Sequence, residues 1–200
     1  TGAVCYEHYM FPARYHKSMF LADWSEGRIL NVRLKPRGAG FIAESEVFLK
    51  GQPLNVTDLD VGPDGGMYFC TGGRGTAGGV YRVVYKGDIP DRMKNLGTGI
   101  AAAVRQPQLE SAWARQEIAS IKRELGNEWG QLVAGVAYSK DNPAQYRIRA
   151  MDLMQLFGPV PSEDLVLELS EAGNELVRAK AAYMMLGSYF DTNKPPPSLR

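Results

Sequence analysis

Cysteine is nearly absent. Cys5 and Cys70 are the only two in 200 residues, which excludes a disulfide-rich scaffold, a CxxCH haem attachment site and a CxxC metal pair. Each sits in an apolar, strand-like run, Val4-Cys5-Tyr6 and Phe69-Cys70-Thr71. Both therefore read as buried free thiols acting as small hydrophobes, with a disulfide between them left open. Histidine is just as scarce. His8 and His16 lack metal-ligand spacing and read either as a ligand pair across one loop or as ordinary core and polar histidines. Charge of one sign is missing too. There are 23 basic and 22 acidic residues, and residues 1–88 hold ten of the first and nine of the second. That leaves no electrostatic footprint for nucleic acid or an anionic membrane surface. No apolar run is long enough to cross a bilayer. The chain begins at Thr1, almost inside a strand and without a signal-like segment, and reads as a piece of a longer protein.

Glycine, by contrast, is concentrated. The stretch Asn55 to Tyr85 reads as strand, turn, strand, glycine loop, strand. Leu59 and Val61 alternate with Asp58 and Asp60, the period of a half-buried strand. Pro63-Asp64-Gly65 is a turn in which proline presets φ, aspartate bonds the backbone and glycine takes positive φ. Met67 to Cys70 is a short apolar strand. The five glycines from Gly72 to Gly79 are expected to exclude regular structure. Val80 to Tyr85 is β-branched and aromatic, a third strand.

The same order occurs upstream. A short strand at Ala3–Tyr6 and a loop from Glu7 to Lys17 precede a strand from Ser18 to Trp24. A tight turn at Ser25-Glu26-Gly27 follows, then a strand from Arg28 to Leu34. A breaker-rich turn from Pro36 to Gly40 leads to a fourth strand at Glu44–Lys50. Met19 and Met67 open equivalent strands 48 residues apart. A period of 40–50 residues with four strands per unit marks a propeller blade. The second unit lacks a fourth strand.

From Gln106 the apolar period becomes helical. Leu109, Trp113, Ile118, Ile121 and Leu125 fit one helix closed by Gly126. Further helices are expected at Glu128–Tyr138, Gln145–Phe157, Glu163–Ala172 and Glu175–Leu186. Asn142 and Ser162 serve as caps, and Gly158 and Gly187 as stops. Arg149 to Gly158 repeats as Arg178 to Gly187, 29 residues on, in the manner of short HEAT-like repeats. The methionines Met151, Met154, Met184 and Met185 read as core filling. The expected fold class is mixed: about two all-β propeller blades of antiparallel four-stranded type at 1–88, a linker at 89–105, all-α HEAT-like repeats at 106–190 and a proline-rich tail at 191–200.

Several residues carry a resemblance: Phe11-Pro12-Ala13 with Tyr15, Met19 to Trp24, Gly27 to Leu30, and Thr57 to Gly65 with Met67-Tyr68. This order resembles the end of the six-bladed propeller of soluble quinoprotein sugar dehydrogenases. With the helical extension it is similar to the large membrane-bound dehydrogenases of planctomycete-type bacteria. The resemblance implies an exported sugar or alcohol dehydrogenase of periplasmic or cell-envelope location. It further implies a carbohydrate substrate, pyrroloquinoline quinone (PQQ) as cofactor, and electrons passed to haem c in a cytochrome domain outside this chain. The remaining propeller blades and that cytochrome domain would be its partners. In that group arginines before the inner strand of a late blade hold the cofactor's carboxylates. Here the segment is Leu54 to Asp58, without arginine, and the catalytic histidine would lie outside the chain. The piece alone is expected to be inactive.

Strand parity places Trp24, Ser25, Arg28, Asn55, Thr57, Asp58 and Arg74 near the ligand-carrying face of a propeller, with His8 and His16 in the opposite loop. Arg74 reads as a bidentate binder of carboxylate or phosphate, as a solvated loop residue, or as the partner of a nearby acid. Trp24 reads as a stacking platform for a sugar or planar cofactor, or as packing between blades. Asp58, Asp60 and Asp64 suggest calcium by composition, against which alternation puts the first two on one side of a strand and the third in its turn. The non-enzyme alternative is a propeller–HEAT scaffold that binds protein or carbohydrate partners.

Overall fold

The computed structural model describes residues 2–189. The order is two antiparallel sheets followed by helices, the mixed β-then-α arrangement expected. The chain divides into two compact units. One comprises the residues up to Leu96 together with Gln106–Glu117, and the other Gly97–Arg105 with the residues from Ile118 on.

In the first unit β1 (Ala3–Tyr6), β2 (Ser18–Asp23), β3 (Arg28–Arg37) and β4 (Gly40–Lys50) form a four-stranded meander in chain order. A second sheet holds β5 (Val56–Val61), β6 (Met67–Gly73) and β7 (Thr76–Val83), three strands and no fourth among the described residues. The alternation read from the sequence sets the packing. Tyr6, Phe20, Ala22 and Ile29 on the first sheet face Val56, Leu59, Val61, Met67 and Phe69 on the second, with Phe11 and Tyr15 from the β1–β2 loop completing the core. Full burial of a valine, leucine, isoleucine, phenylalanine or methionine side chain contributes about 1.5–3 kcal/mol. Tyr6 also ties the loops together. Its hydroxyl donates to the Gly65 carbonyl at 2.8 Å and accepts from the Phe11 amide at 3.0 Å.

Three strand expectations are corrected. The glycine run is regular structure: Gly72 and Gly73 end β6, Gly78 and Gly79 lie in β7, and only Arg74 and Gly75 form the turn. Antiparallel pairing outweighs glycine's weak strand propensity here. A side chain on Gly72 would press on the Gly78 backbone at 3.2 Å. Pro36 is not in a turn either, because β3 continues through Arg37 and pairs with a β4 that begins at Gly40. β3 and β4 thus form a long two-stranded arm on which Leu34, Phe41 and Ile42 are exposed. Finally, β7 stops at Val83, leaving Val84 and Tyr85 outside it. Cys5 is also not buried. Both thiols are free, but Cys5 is exposed and Cys70 half-buried, since β1 turns its odd-numbered side chains away from the core.

The stretch 89–105 contains two helices, α1 (Asp91–Lys94) and α2 (Gly99–Arg105). Next comes α3 (Ala112–Leu125), so Leu109 precedes the helix rather than belonging to it. Gly126, at φ 52, ends it as expected.

 It is followed by α4 (Trp129–Tyr138), α5 (Ala144–Phe157), α6 (Glu163–Ser170) and α7 (Glu175–Tyr189). Ser162 caps α6, its hydroxyl accepting from the Leu165 amide at 3.3 Å. The residue before α5 is Pro143, and Asn142 instead donates its side-chain amide to the Val136 carbonyl at 3.2 Å. Gly158 ends α5 at φ 70, whereas α7 runs through Gly187 to Tyr189, so the two glycines do not play the same part. Met151, Met154 and Met184 are buried, as are Ile118, Trp129, Val133, Leu153 and Val177. The tail at 191–200 and Phe190 lie outside the described residues.

Candidate ligand face

The β2–β3 turn, the chain entering β5 and the β6–β7 turn meet at one end of the sheet unit. Three backbone-directed bonds hold them. Asn55 donates its side-chain amide to the Trp24 carbonyl at 3.0 Å. The Trp24 indole N–H donates to the Gly72 carbonyl at 2.8 Å. The Gly72 amide donates to the Asn55 carbonyl at 3.0 Å, which closes the triangle. Trp24 is thereby fixed by its main chain and its ring together. Above that ring lies Arg74, its guanidinium 5.1 Å from the ring centre, within the range of a cation–π contact.

The other candidates are placed differently. Ser25 is exposed on the same turn as Trp24. Arg28 is held by Asp23, its Nε 2.9 Å from the carboxylate. The Arg28 hydrogen bond, helped by one from the Glu26 amide, keeps the Asp23 carboxyl below its ordinary range. Thr57 turns into its own sheet, its hydroxyl donating to the Cys70 carbonyl at 3.2 Å. Asp58 stands against Gly2 at the start of β1, its carboxylate accepting from the Leu59 amide at 2.9 Å. The structure therefore brings Trp24, Asn55 and Arg74 together and leaves Arg28, Thr57 and Asp58 in other contacts.

The acidic residues are dispersed. Asp60 accepts from the Val61 amide at 2.7 Å and Asp64 from the Gly66 amide at 3.0 Å, each serving its own turn or strand. No group of three metal-ligating side chains occurs among the described residues. His16 bonds the Phe11 carbonyl at 2.8 Å. His8 is fully buried. Its Nδ1 accepts from the Met10 amide at 3.3 Å, and its Nε2 has no hydrogen-bond partner. Burial pushes its pKa down to about 4, against a smaller favourable effect of the Pro63 carbonyl.

The far end of β1 and β5 is closed by Gln106–Glu117. Gln108 bonds both Cys5 on β1 and Glu7 just past its end. The Ser111 hydroxyl reaches Asp60 at 3.3 Å, and the Trp113 indole donates to the Val61 carbonyl at 2.8 Å. None of this was readable from the sequence, where residues 106–111 pass for the start of a helix. In the helical unit a shallow groove of about 550 Å³ is lined by Ile100, Gln131, Leu132, Val136 and Asn142.

What the fold and site define is a pair of packed antiparallel sheets, with loops gathered around a fixed tryptophan at one end, and a set of helices. No family model, curated protein or solved structure matches the chain. No helix among the described residues is long and apolar enough to cross a membrane.

Proposed function

We propose that this chain is the closing part of a β-propeller of the sugar-dehydrogenase-like kind, followed by HEAT-like helices, and that its Trp24–Asn55–Arg74 end forms part of a carbohydrate-binding face. The observation that carries the reading is the clustering of three separate turns around Trp24. The rigid strands beneath the cluster suit a binding site, because loops on a fixed scaffold carry function. The resemblance of the blade segments and their order supports the same reading. So does the pairing of α4 with α5 and of α6 with α7, as in stacked helical repeats. In a ring of blades, the remaining blades would supply the rest of the site, and a haem domain beyond this chain would take the electrons. A periplasmic or cell-envelope location follows from the same resemblance.

The quinone is a separate matter. PQQ is a polycarboxylate, and its clamp would call for several cations at the ligand end. Of the two arginines there, Arg28 is paired with Asp23, and Arg74, over the Trp24 ring, has no carboxylate partner among the described residues. His8 and His16 belong to the β1–β2 loop, not to this end. The residues present do not fit the group.

The scaffold alternative has one observation in its favour. Leu176, Tyr183 and Leu186 are exposed along α7 at helical spacing, a surface of the type that helical repeats offer to partners. The test that separates the readings is calorimetric titration of the chain with neutral and acidic monosaccharides. Saturable binding lost on Trp24→Ala supports the carbohydrate face. Absence of any sugar binding by a folded chain leaves the scaffold.

A further inference from the structure

The Trp24 end holds an arginine where the backbone favours a different residue. The β6–β7 hairpin is closed by Arg74 and Gly75, with Gly73 paired to Thr76. Both turn residues have positive φ, 51 for Arg74 and 81 for Gly75. That is the pattern of a two-residue type I′ turn, whose first position takes asparagine, aspartate or glycine. An arginine there bears the left-handed strain that glycine avoids. Strain retained at one residue points to what its side chain does.

The side chain is held without being used up. The guanidinium stands over the Trp24 ring, and the ring is locked by its bond to Gly72. That contact is made to the ring face and uses no oxygen acceptor, so it does not spend the guanidinium's fork on a carboxylate. Arg74 is exposed, and no carboxylate pairs with it among the described residues. Two other arginines of the sheet unit differ. Arg28 is paired with Asp23, and Arg82 with Asp64.

We infer that Arg74, backed by Trp24, binds the carboxylate of a sugar acid through a bidentate pair of N–H donors. The carboxylate follows from the planar fork of the guanidinium, which matches two coplanar oxygens. The sugar part rests on the carbohydrate-face reading above. Asn55 and Ser25 border the same turn, but Asn55 spends its amide on Trp24, so charge recognition falls to Arg74.

The test is calorimetric titration of the whole chain with glucuronate, glucose and acetate, repeated on Arg74→Gly and Arg74→Lys. Glucuronate should bind more tightly than glucose or acetate. Arg74→Lys should weaken it by about tenfold or more, because lysine lacks the fork. Arg74→Gly should abolish the preference while the thermal unfolding midpoint holds or rises, since glycine suits a φ of 51. That stability readout keeps loss of binding apart from loss of fold. Glucose bound as tightly as glucuronate, and unaffected by Arg74→Gly, overturns the carboxylate assignment but leaves the carbohydrate face. Acetate bound as tightly as glucuronate overturns the sugar-acid assignment. No binding of any of the three overturns both.

Discussion

Gln108 donates its side-chain amide to the Cys5 carbonyl at 2.8 Å. The same side chain accepts from the Glu7 amide at 2.9 Å. Residues two apart on a strand present their main-chain groups to one edge, so a single carboxamide does what a peptide group of a neighbouring strand would do. Gln108 itself is 2% exposed and sits at φ 54, so the chain bends sharply to deliver it. An open strand edge is an aggregation hazard, and one glutamine covers this part of it.

Gln108→Ala should therefore destabilise the sheet unit by about 1–3 kcal/mol, the cost of leaving a partly buried donor and acceptor unpaired. Gln108→Glu keeps the shape, but its carboxylate would be buried against the Cys5 carbonyl with no proton to donate, so it should cost at least as much as alanine. Urea unfolding followed by far-UV circular dichroism measures both. Wild-type stability in the alanine variant would show that water satisfies the edge equally well.

The buried imidazole gives a pH dependence with a definite sign. His8 has its pKa lowered to about 4 by burial, against about 6.5 in an unfolded chain. Between these values the unfolded state binds a proton that the folded state refuses, so stability falls as pH falls through that window and levels off below it. The full effect is about 3 kcal/mol at one and a third kcal/mol per pH unit. Asp23, held below its ordinary range by Arg28, loses its contribution only as pH falls through its own lower pKa, so the two windows separate. Urea midpoints from pH 7.5 to 4 should show the slope in the wild type and a flatter profile in His8→Phe. An equal slope in both would mean that His8 is charged or hydrated in the fold.

Two glycines at positive φ should respond very differently to alanine. At Gly65 a new Cβ would lie 2.4 Å from the His8 ring and 2.5 Å from Met10, at φ 73. At Gly126, φ 52, nothing stands within 4 Å. Gly126→Ala should cost about 1–2 kcal/mol, the left-handed strain alone. Gly65→Ala adds overpacking of about 1–3 kcal/mol to the same strain, and also disturbs the carbonyl that Tyr6 bonds. Melting temperatures of the two variants compare the costs directly, and equal losses would contradict the packing around His8.

Local chemistry made part of this structure legible and long-range pairing hid the rest. Ser162 before an acidic first turn is a cap wherever it falls, and it caps α6. Leu59 and Val61 alternate with Asp58 and Asp60, and only the leucine and valine are buried. The glycines from Gly72 to Gly79 looked irregular because glycine is a poor strand residue by itself; β6 and β7 recruit them through hydrogen bonds that no single residue announces. Gln108 lies about a hundred positions from the strand it serves, so nothing near it in sequence reveals its role. At the candidate site, parity brought Trp24, Asn55 and Arg74 to one end, but it could not tell that Asp23 holds Arg28.

The outer edge of β7 should make the chain associate with itself. β7 is the last strand of its sheet, and Val80 on it is 77% exposed with Tyr81 beside it. A long edge carrying apolar residues offers a template for a strand from another molecule, and lysine on such an edge opposes pairing by burying a charge. Light scattering of the 200-residue chain should show mass rising with concentration, and Val80→Lys should reduce that rise without lowering the melting temperature, because Val80 contributes little to the core. A monomer at all concentrations, with a sharp reversible melt, would show that the two sheets are complete as they stand and would weaken the reading of this unit as part of a larger ring.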